Sequence, residues 1–179
     1  AWGIIDDILC WNSNFRCLVK THRNLEKIMK LIFLDFDGVL NSQLYFKKRR
    51  AEKLAGHDLG VAGDLDPEAV GFLNEMIEKT GAKVVVSSTW RIGMTIEELQ
   101  ELLEKVGFKG EVVGITPDLR GGSVLRGNEI LEWIKDNPAI VRGYYSDYTD
   151  YVIFDGDSDM LYWQRNNYFQ CDGYVGLTP

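Results

Sequence analysis

From Lys30 onward the chain alternates between short apolar runs and longer stretches in which apolar residues recur at helical spacing. Leu31–Phe36 is an apolar run closing in acids, the pattern of a strand buried on both faces. Asp66-Pro67-Glu68 then reads as a helix start, with an N-cap acid and proline at the first helical position. Val70, Leu73 and Ile77 repeat along that helix and Gly81 stops it. Lys83–Ser87, with three consecutive valines, predicts a second buried strand. Thr95-Ile96-Glu97-Glu98 is a capping box opening a helix through Val106, closed by Gly107. Glu111–Ile115 predicts a third strand, Glu129–Lys135 a third helix ending before Pro138, and Tyr151–Phe154 a fourth strand. Tyr174 and Val175 are expected to form a short last one. Strands alternating with helices predict an α/β fold, a parallel sheet with helices on both faces. No internal repeat or low-complexity tract interrupts it.

Composition narrows the class. The 179 residues suffice for one domain with a core, and 45% hydrophobic against 26% charged content excludes a disordered chain. The net charge of −7 is unevenly placed: residues 1–30 hold five Lys/Arg against three Asp/Glu, the remainder fifteen against twenty-four. An acidic body disfavours broad nucleic-acid binding. The charge divide falls where the regular pattern begins, giving a domain over residues 29–179 and a preceding segment, 1–28. That segment places Trp2, Ile5, Leu9, Phe15 and Leu18 at loosely helical intervals; it is either an appended extension or an amphipathic arm, with no catalytic role. Cys10, Cys17 and Cys171 form no CxxC pair and have no neighbouring histidine to complete a zinc set. They read as free thiols of a cytoplasmic protein. No apolar run approaches the ~20 residues of a membrane span, and Asp6 and Asp7 stand where a signal peptide requires positive charge.

Candidate chemistry lies just after each apolar run, where open parallel sheets bind ligands. The first strand ends Asp35-Phe36-Asp37-Gly38-Val39-Leu40-Asn41, the second Ser87-Ser88-Thr89-Trp90-Arg91, the fourth Asp155-Gly156-Asp157-Ser158-Asp159; Arg126-Gly127-Asn128 precedes the third helix. Carboxylates converging from two strands offer an all-oxygen site suited to Mg²⁺. Ser87 and the backbone N–H groups around Gly38 and Ser88 are placed to bind phosphate oxygens, and Arg126 to neutralise their charge. A carboxylate aimed at phosphorus can attack it, and a second acid two residues on can shuttle the protons.

DFDGVLN resembles motif I of the haloacid dehalogenase (HAD) superfamily, whose members are mostly Mg²⁺-dependent phosphohydrolases. The order of the four signals matches as well, over about residues 30–179. More narrowly, SSTWR, RGNEILEWI, VIFDGDSDM and the terminal GLT resemble small capless HAD domains related to RNA-repair proteins. The resemblance implies a phosphatase acting on phosphate monoesters through an aspartyl-phosphate. Asp35 would be nucleophile and metal ligand, and Asp37 general acid/base with its carbonyl also on Mg²⁺. Ser87 would bind the phosphoryl group, and Asp155 would complete the metal site. Arg126 stands where the family usually has lysine, and Gly156 where many relatives have a second acid. Either Asp157 or Asp159 compensates, or both serve as turn or helix-cap acids. The substrate is a phosphorylated small molecule or a nucleic-acid end. The alternative is a non-catalytic, receiver-like module binding Mg²⁺ and phosphate; receivers, however, put an acid where this chain has Ser87-Ser88-Thr89.

Other residues divide less sharply. Lys47-Lys48-Arg49-Arg50 reads first as a solvated helix face, with a partial flap meeting a polyanionic substrate as the other reading. Trp90 and Arg91 either flank the pocket or pack in the core. Tyr144, Tyr145, Tyr148 and Tyr151 read as loop packing rather than base stacking, and His22 and His57 have no partners at ligand spacing. Neither connection, about 41–65 or 91–126, has room for a cap domain, so the site is expected to be open.

Overall fold

The computed structural model describes residues 29–54, 56, 60–119, 124–138 and 151–179. Five strands, β1 (Leu31–Leu34), β2 (Lys83–Val86), β3 (Val112–Ile115), β4 (Tyr151–Asp155) and β5 (Tyr168–Gln170), pair in the order β3-β2-β1-β4-β5. Every pairing is parallel. The chain moves outward from β1 through β2 to β3, then returns to β4 on the other side of β1. This reversal opens a crevice between β1 and β4 at their carboxyl ends.

Alternation along the strands decides which layer each residue joins. Ile32, Leu34, Val84, Val86 and Phe154 face α2 (Pro67–Thr80) and α3 (Ile96–Glu104), meeting Val70, Leu73, Leu99 and Leu103. Leu31, Phe33, Val85 and Ile153 face the opposite layer, where Ile130, Trp133 and Ile134 of α4 (Arg126–Asp136) cover them. The central strands β1 and β2 are buried on both faces, which is why they read as unbroken apolar runs. Gly114 of β3 admits α4 closely: a Cβ there would come within 2.8 Å of Trp133 Nε1.

Helix ends follow the expected chemistry. Asp66 caps α2 by accepting from Glu68 N–H, with Pro67 first in the helix and Gly81 left-handed at its end. Thr95 and Glu98 form the capping box of α3. A helix α1 (Gln43–Leu54) and a 3₁₀ turn over Val61–Asp64 fill the connection from β1 to α2. Among the described residues neither crossover holds a separate cap domain.

Two expectations are corrected. Tyr174 and Val175 are not a strand: the Asp172 carboxylate accepts from Tyr174 N–H and its carbonyl from Val175 and Gly176 N–H, closing a turn. The last strand is Tyr168–Gln170, an edge strand with Phe169 and Gln170 exposed and so no apolar run to announce it. Finally, α4 starts at Arg126 itself, three residues ahead of the expected Glu129. Tyr144, Tyr145, Tyr148, His22, His57, Cys10, Cys17 and the segment 1–28 lie outside the described residues. Tyr151 packs edge-on against Phe33 in the core layer. Among the described residues no helix is long and apolar enough to cross a membrane.

Candidate active site

Register places the site. Leu34 pairs with Val86 on one side and Phe154 on the other, and Ile115 with Val86. The next residues, Asp35, Ser87, Asp155 and Thr116, therefore stand level across four adjacent strands. The ladder continues through them: Asp35 N–H donates to Phe154 O (3.0 Å), Ser87 N–H to Leu34 O (2.9 Å) and Thr116 N–H to Val86 O (3.0 Å). All four side chains are buried.

Beyond β1 the chain turns tightly, with Val39, Leu40 and Asn41 N–H groups all donating to Phe36 O. Gly38 makes this possible: its φ of +77° is left-handed, and a Cβ would stand 3.3 Å from Gly173 Cα. Asn41 organises the loop, accepting from Gly38 N–H (2.9 Å) and donating to Asp37 Oδ1 (2.9 Å). Trp90 Nε1 donates to Asp37 Oδ2 (3.0 Å) while its ring packs edge-on against Phe36. Asp37 is thus exposed but fixed, and Trp90 both packs and borders the site. Asn41 gave no signal in the sequence beyond its place in DFDGVLN.

Asp35 and Asp155 flank the crevice. Asp35 Oδ1 accepts from Phe36 N–H (2.8 Å), and Asp155 Oδ1 from Asp157 N–H (2.9 Å). Arg126 reaches between them, with Nη2 4.0 Å from Asp35 Oδ2 and Nε 3.6 Å from Asp155 Oδ2. Burial pushes the Asp35 carboxyl above its ordinary value, against the pull of Arg126. Burial, then the neighbouring Asp35, raises Asp155 to about 7.

Of the two later acids, Asp159 caps α4 from outside the helix, its Oδ2 accepting from Arg126 N–H at 2.8 Å. Leu125, at the cap position, supplies no side-chain bond. Asp157 is exposed, and its carbonyl accepts from Tyr168 Oη.

Arg91 proves to be a buried brace. Nε donates to Thr116 O (2.8 Å), Nη1 to Ser87 O and Ser88 O (2.8 Å each), and Nη2 to Pro117 O (3.0 Å) and Glu129 Oε2 (2.7 Å). It locks the β2 end to the β3 end and to α4.

Five buried side-chain polar atoms lack a hydrogen-bond partner among the described residues: Ser87 Oγ, Thr116 Oγ1, Arg126 Nη1, Asp155 Oδ2 and Asp159 Oδ1. Every one belongs to this sheet edge or to the start of α4 beside it. Unmatched donors and acceptors are costly to bury, and their concentration here fits a polar ligand bound within. Among the described residues no three His, Cys, Asp or Glu side chains converge as a ready-made metal cage, since Asp37 directs its carboxylate to Asn41 and Trp90. What remains is all oxygen: two facing carboxylates, one with an orphaned atom, and the Asp37 carbonyl, which lies 3.3 Å from where a Cβ on Gly156 would stand. That set suits a hard cation with few protein ligands, and Gly156 leaves the carbonyl room.

A parallel sheet with acids flanking its switch point, a hydroxyl on the next strand, a cation opening the following helix and no cap domain among the described residues is the arrangement of a HAD-type domain. The family model described as the HAD domain in Swiss Army Knife RNA repair proteins matches residues 31–179, and the chain belongs to that family. Membership points to a phosphatase-like hydrolase. No curated protein and no solved structure matches the chain.

Proposed function

We propose that the protein is a Mg²⁺-dependent phosphatase that hydrolyses phosphate monoesters through an aspartyl-phosphate on Asp35. The supporting observation is the set of unpartnered buried polar atoms between β1, β2, β4 and α4. A phosphoryl group supplies acceptors for Ser87 Oγ and Arg126 Nη1, and Ser88 N–H lies at the same strand end; Gly38 N–H, expected from the sequence to join them, is already spent on Asn41 Oδ1. Asp35, Asp155 and the Asp37 carbonyl would hold Mg²⁺, which when bound offsets the repulsion between these carboxylates and a phosphate dianion.

The roles follow from burial and position. Asp35, held by Phe36 N–H, attacks phosphorus with a carboxylate oxygen; the P–O bond to the leaving group breaks and Asp37 protonates that oxygen. Asp37 then takes a proton from water as the water attacks the acyl phosphate. Inorganic phosphate departs and the Asp35 carboxylate is restored. Asp37 is the member of the set open to solvent, as a group meeting both leaving group and water must be. With no cap domain over the crevice among the described residues, phosphorylated small molecules and nucleic-acid ends both have access. A cytoplasmic setting accords with free thiols; Cys171 is half-buried, its thiol pushed up to about 11 by burial.

The test is Mg²⁺-dependent turnover of an aryl phosphate, of nucleotides and of phosphorylated oligonucleotides. Asp35→Asn should abolish turnover while the circular dichroism spectrum is kept. A wild type inert on every phosphoester, yet binding Mg²⁺ and phosphate, would establish a binding module instead.

A further inference from the structure

The rim beside Gly38 carries a second cluster. The turn 172–176 is clamped to the motif I loop and to α1: Gln43 N–H donates to Gly173 O and Leu44 N–H to Tyr174 O (3.0 Å each), and Leu177 N–H to Val39 O (2.8 Å). Tyr174 therefore stands one residue from the glycine that touches Gly38. Its ring is 46% exposed, with Lys47 Nζ 5.0 Å from its centroid.

The basic run of α1 divides by face. Arg49 is buried, donating to the carbonyls of Gly63 and Gly60, and so fixes the helix. Lys47, Lys48, Arg50 and Lys53 are exposed, and only Glu52 opposes them on the helix. None of these four cations pairs with an acid among the described residues. This is a concentrated positive face on a chain of net charge −7. Between α1, α2 and the tail runs a groove of about 750 Å³, lined among others by Lys47 and Lys48 of α1, Asp66 and Glu68 at the start of α2, Phe72 and Leu177.

We infer that the exposed face of α1 and the Tyr174 ring form a track for the single-stranded nucleic acid whose terminal phosphate enters the site, a reading that rests on the proposed phosphatase activity. An aromatic ring with a cation beside it is a sequence-tolerant base platform. Lys48 and Arg50 continue the positive face away from the site along α1, where the backbone phosphates of the next nucleotides would lie. Asp66 and Glu68, which line the same groove, can accept from exocyclic base amines. Substrates lacking a strand gain nothing from the track.

The experiment compares the full chain with Tyr174→Ala and with the triple variant Lys47→Ala/Lys48→Ala/Arg50→Ala; all these side chains are exposed, so the fold is retained. Turnover of an aryl phosphate should stay within about twofold in both. For a single-stranded oligonucleotide bearing a terminal phosphate, Tyr174→Ala should raise KM about tenfold, the scale of one lost base stack. In fluorescence anisotropy with the same oligonucleotide, the triple variant should flatten the slope of log affinity against log salt by about two, given roughly 0.7 per phosphate contact on single strands. Variants that bind the oligonucleotide as tightly as wild type, with the same salt slope, overturn the track, as does equal loss on the aryl phosphate. Anisotropy reads the track without turnover. An inert wild type therefore sinks the phosphatase reading alone, and the track then stands or falls on the variants' affinities.

Discussion

Arg91 and Arg126 are both withdrawn from solvent beside the ends of β1 and β2, yet they stand in opposite surroundings. Arg91 spends its guanidinium on four backbone carbonyls and the Glu129 carboxylate, all within 3.0 Å. Arg126 faces two carboxylates at 3.6 and 4.0 Å and keeps Nη1 without a partner among the described residues. A satisfied buried cation has nothing left to give a ligand and holds structure; an unsatisfied one is held by structure for something else. The contrast separates a brace from the proposed phosphate-binding group although both are arginines at one sheet edge.

Removing the brace should have the largest effect. Arg91→Ala leaves Glu129 buried without its cation and takes the guanidinium donors from four carbonyls, of which Ser88 O keeps the backbone N–H of residue 91, a loss of ~3–5 kcal/mol, or roughly 10 °C in Tm for a domain of this size. Arg91→Lys should recover little, because a point ammonium cannot reach the acceptors of a planar fork. Thermal denaturation checks both. A fall below ~1 kcal/mol would show that the brace is ornamental.

Arg126→Ala should reverse the balance. At pH 6, where Asp155 with its value of about 7 is largely protonated, Tm should move by no more than ~2 °C. Meanwhile kcat/KM on an aryl phosphate should fall about 10²–10³-fold, the usual cost of one donor aimed at developing oxyanion charge. Arg126→Lys, which keeps the charge but loses the planar fork, should keep a part of the activity. If Arg126→Ala unfolds the protein while Arg91→Ala spares it, the two assignments must be exchanged.

How far the sequence could anticipate this differs between the two. Asp35, Ser87 and Asp155 were legible because each closes an apolar run, and parallel register then sets them level. Arg126 was legible as a cation near a helix start, though its helix begins earlier than the polar Arg126-Gly127-Asn128 stretch suggests, since Asp159 caps it from 33 residues away. Arg91 was not legible as a brace: its acceptors come from β2, β3 and α4, and backbone carbonyls have no letter in a sequence. The edge strand Tyr168–Gln170 stayed hidden for a related reason, its pairing with β4 being made by backbone groups beneath exposed side chains.

The facing carboxylates give the comparison a pH dependence. Asp155 is raised from 3.8 to about 7, first by burial and then by Asp35. The folded protein therefore holds a proton that the unfolded chain has already released. Its contribution to stability is fully present below about pH 4 and is lost as pH rises through about 7. In EDTA, urea denaturation should show stability falling across that window by at most ~1.4 kcal/mol per pH unit from this group. Asp155→Asn should flatten the slope. Added Mg²⁺ should restore stability on the alkaline side, where the ionised pair gains a counter-charge. An identical slope in wild type and Asp155→Asn would assign the effect elsewhere.

The smallest effect is expected where an acid is held at the surface rather than buried. Trp90→Phe keeps a ring against Phe36 but removes the Nε1 donor to Asp37 Oδ2. Asn41 still holds Oδ1, so Asp37 loses one of two tethers rather than its place. A hydrogen bond to a charged group is worth about 1.5–3 kcal/mol, and solvent at this exposed carboxylate brings it to the low end, which sets a loss of roughly tenfold in kcat with stability nearly unchanged. Asn41→Ala should act on both, because Gly38 N–H loses its acceptor as well and the turn beneath Asp35 loosens. The pair of variants distinguishes orientation of the acid from integrity of the loop. A kcat for Trp90→Phe equal to wild type would mean that Asn41 alone orients Asp37, leaving Trp90 as a packing residue at the edge of the site.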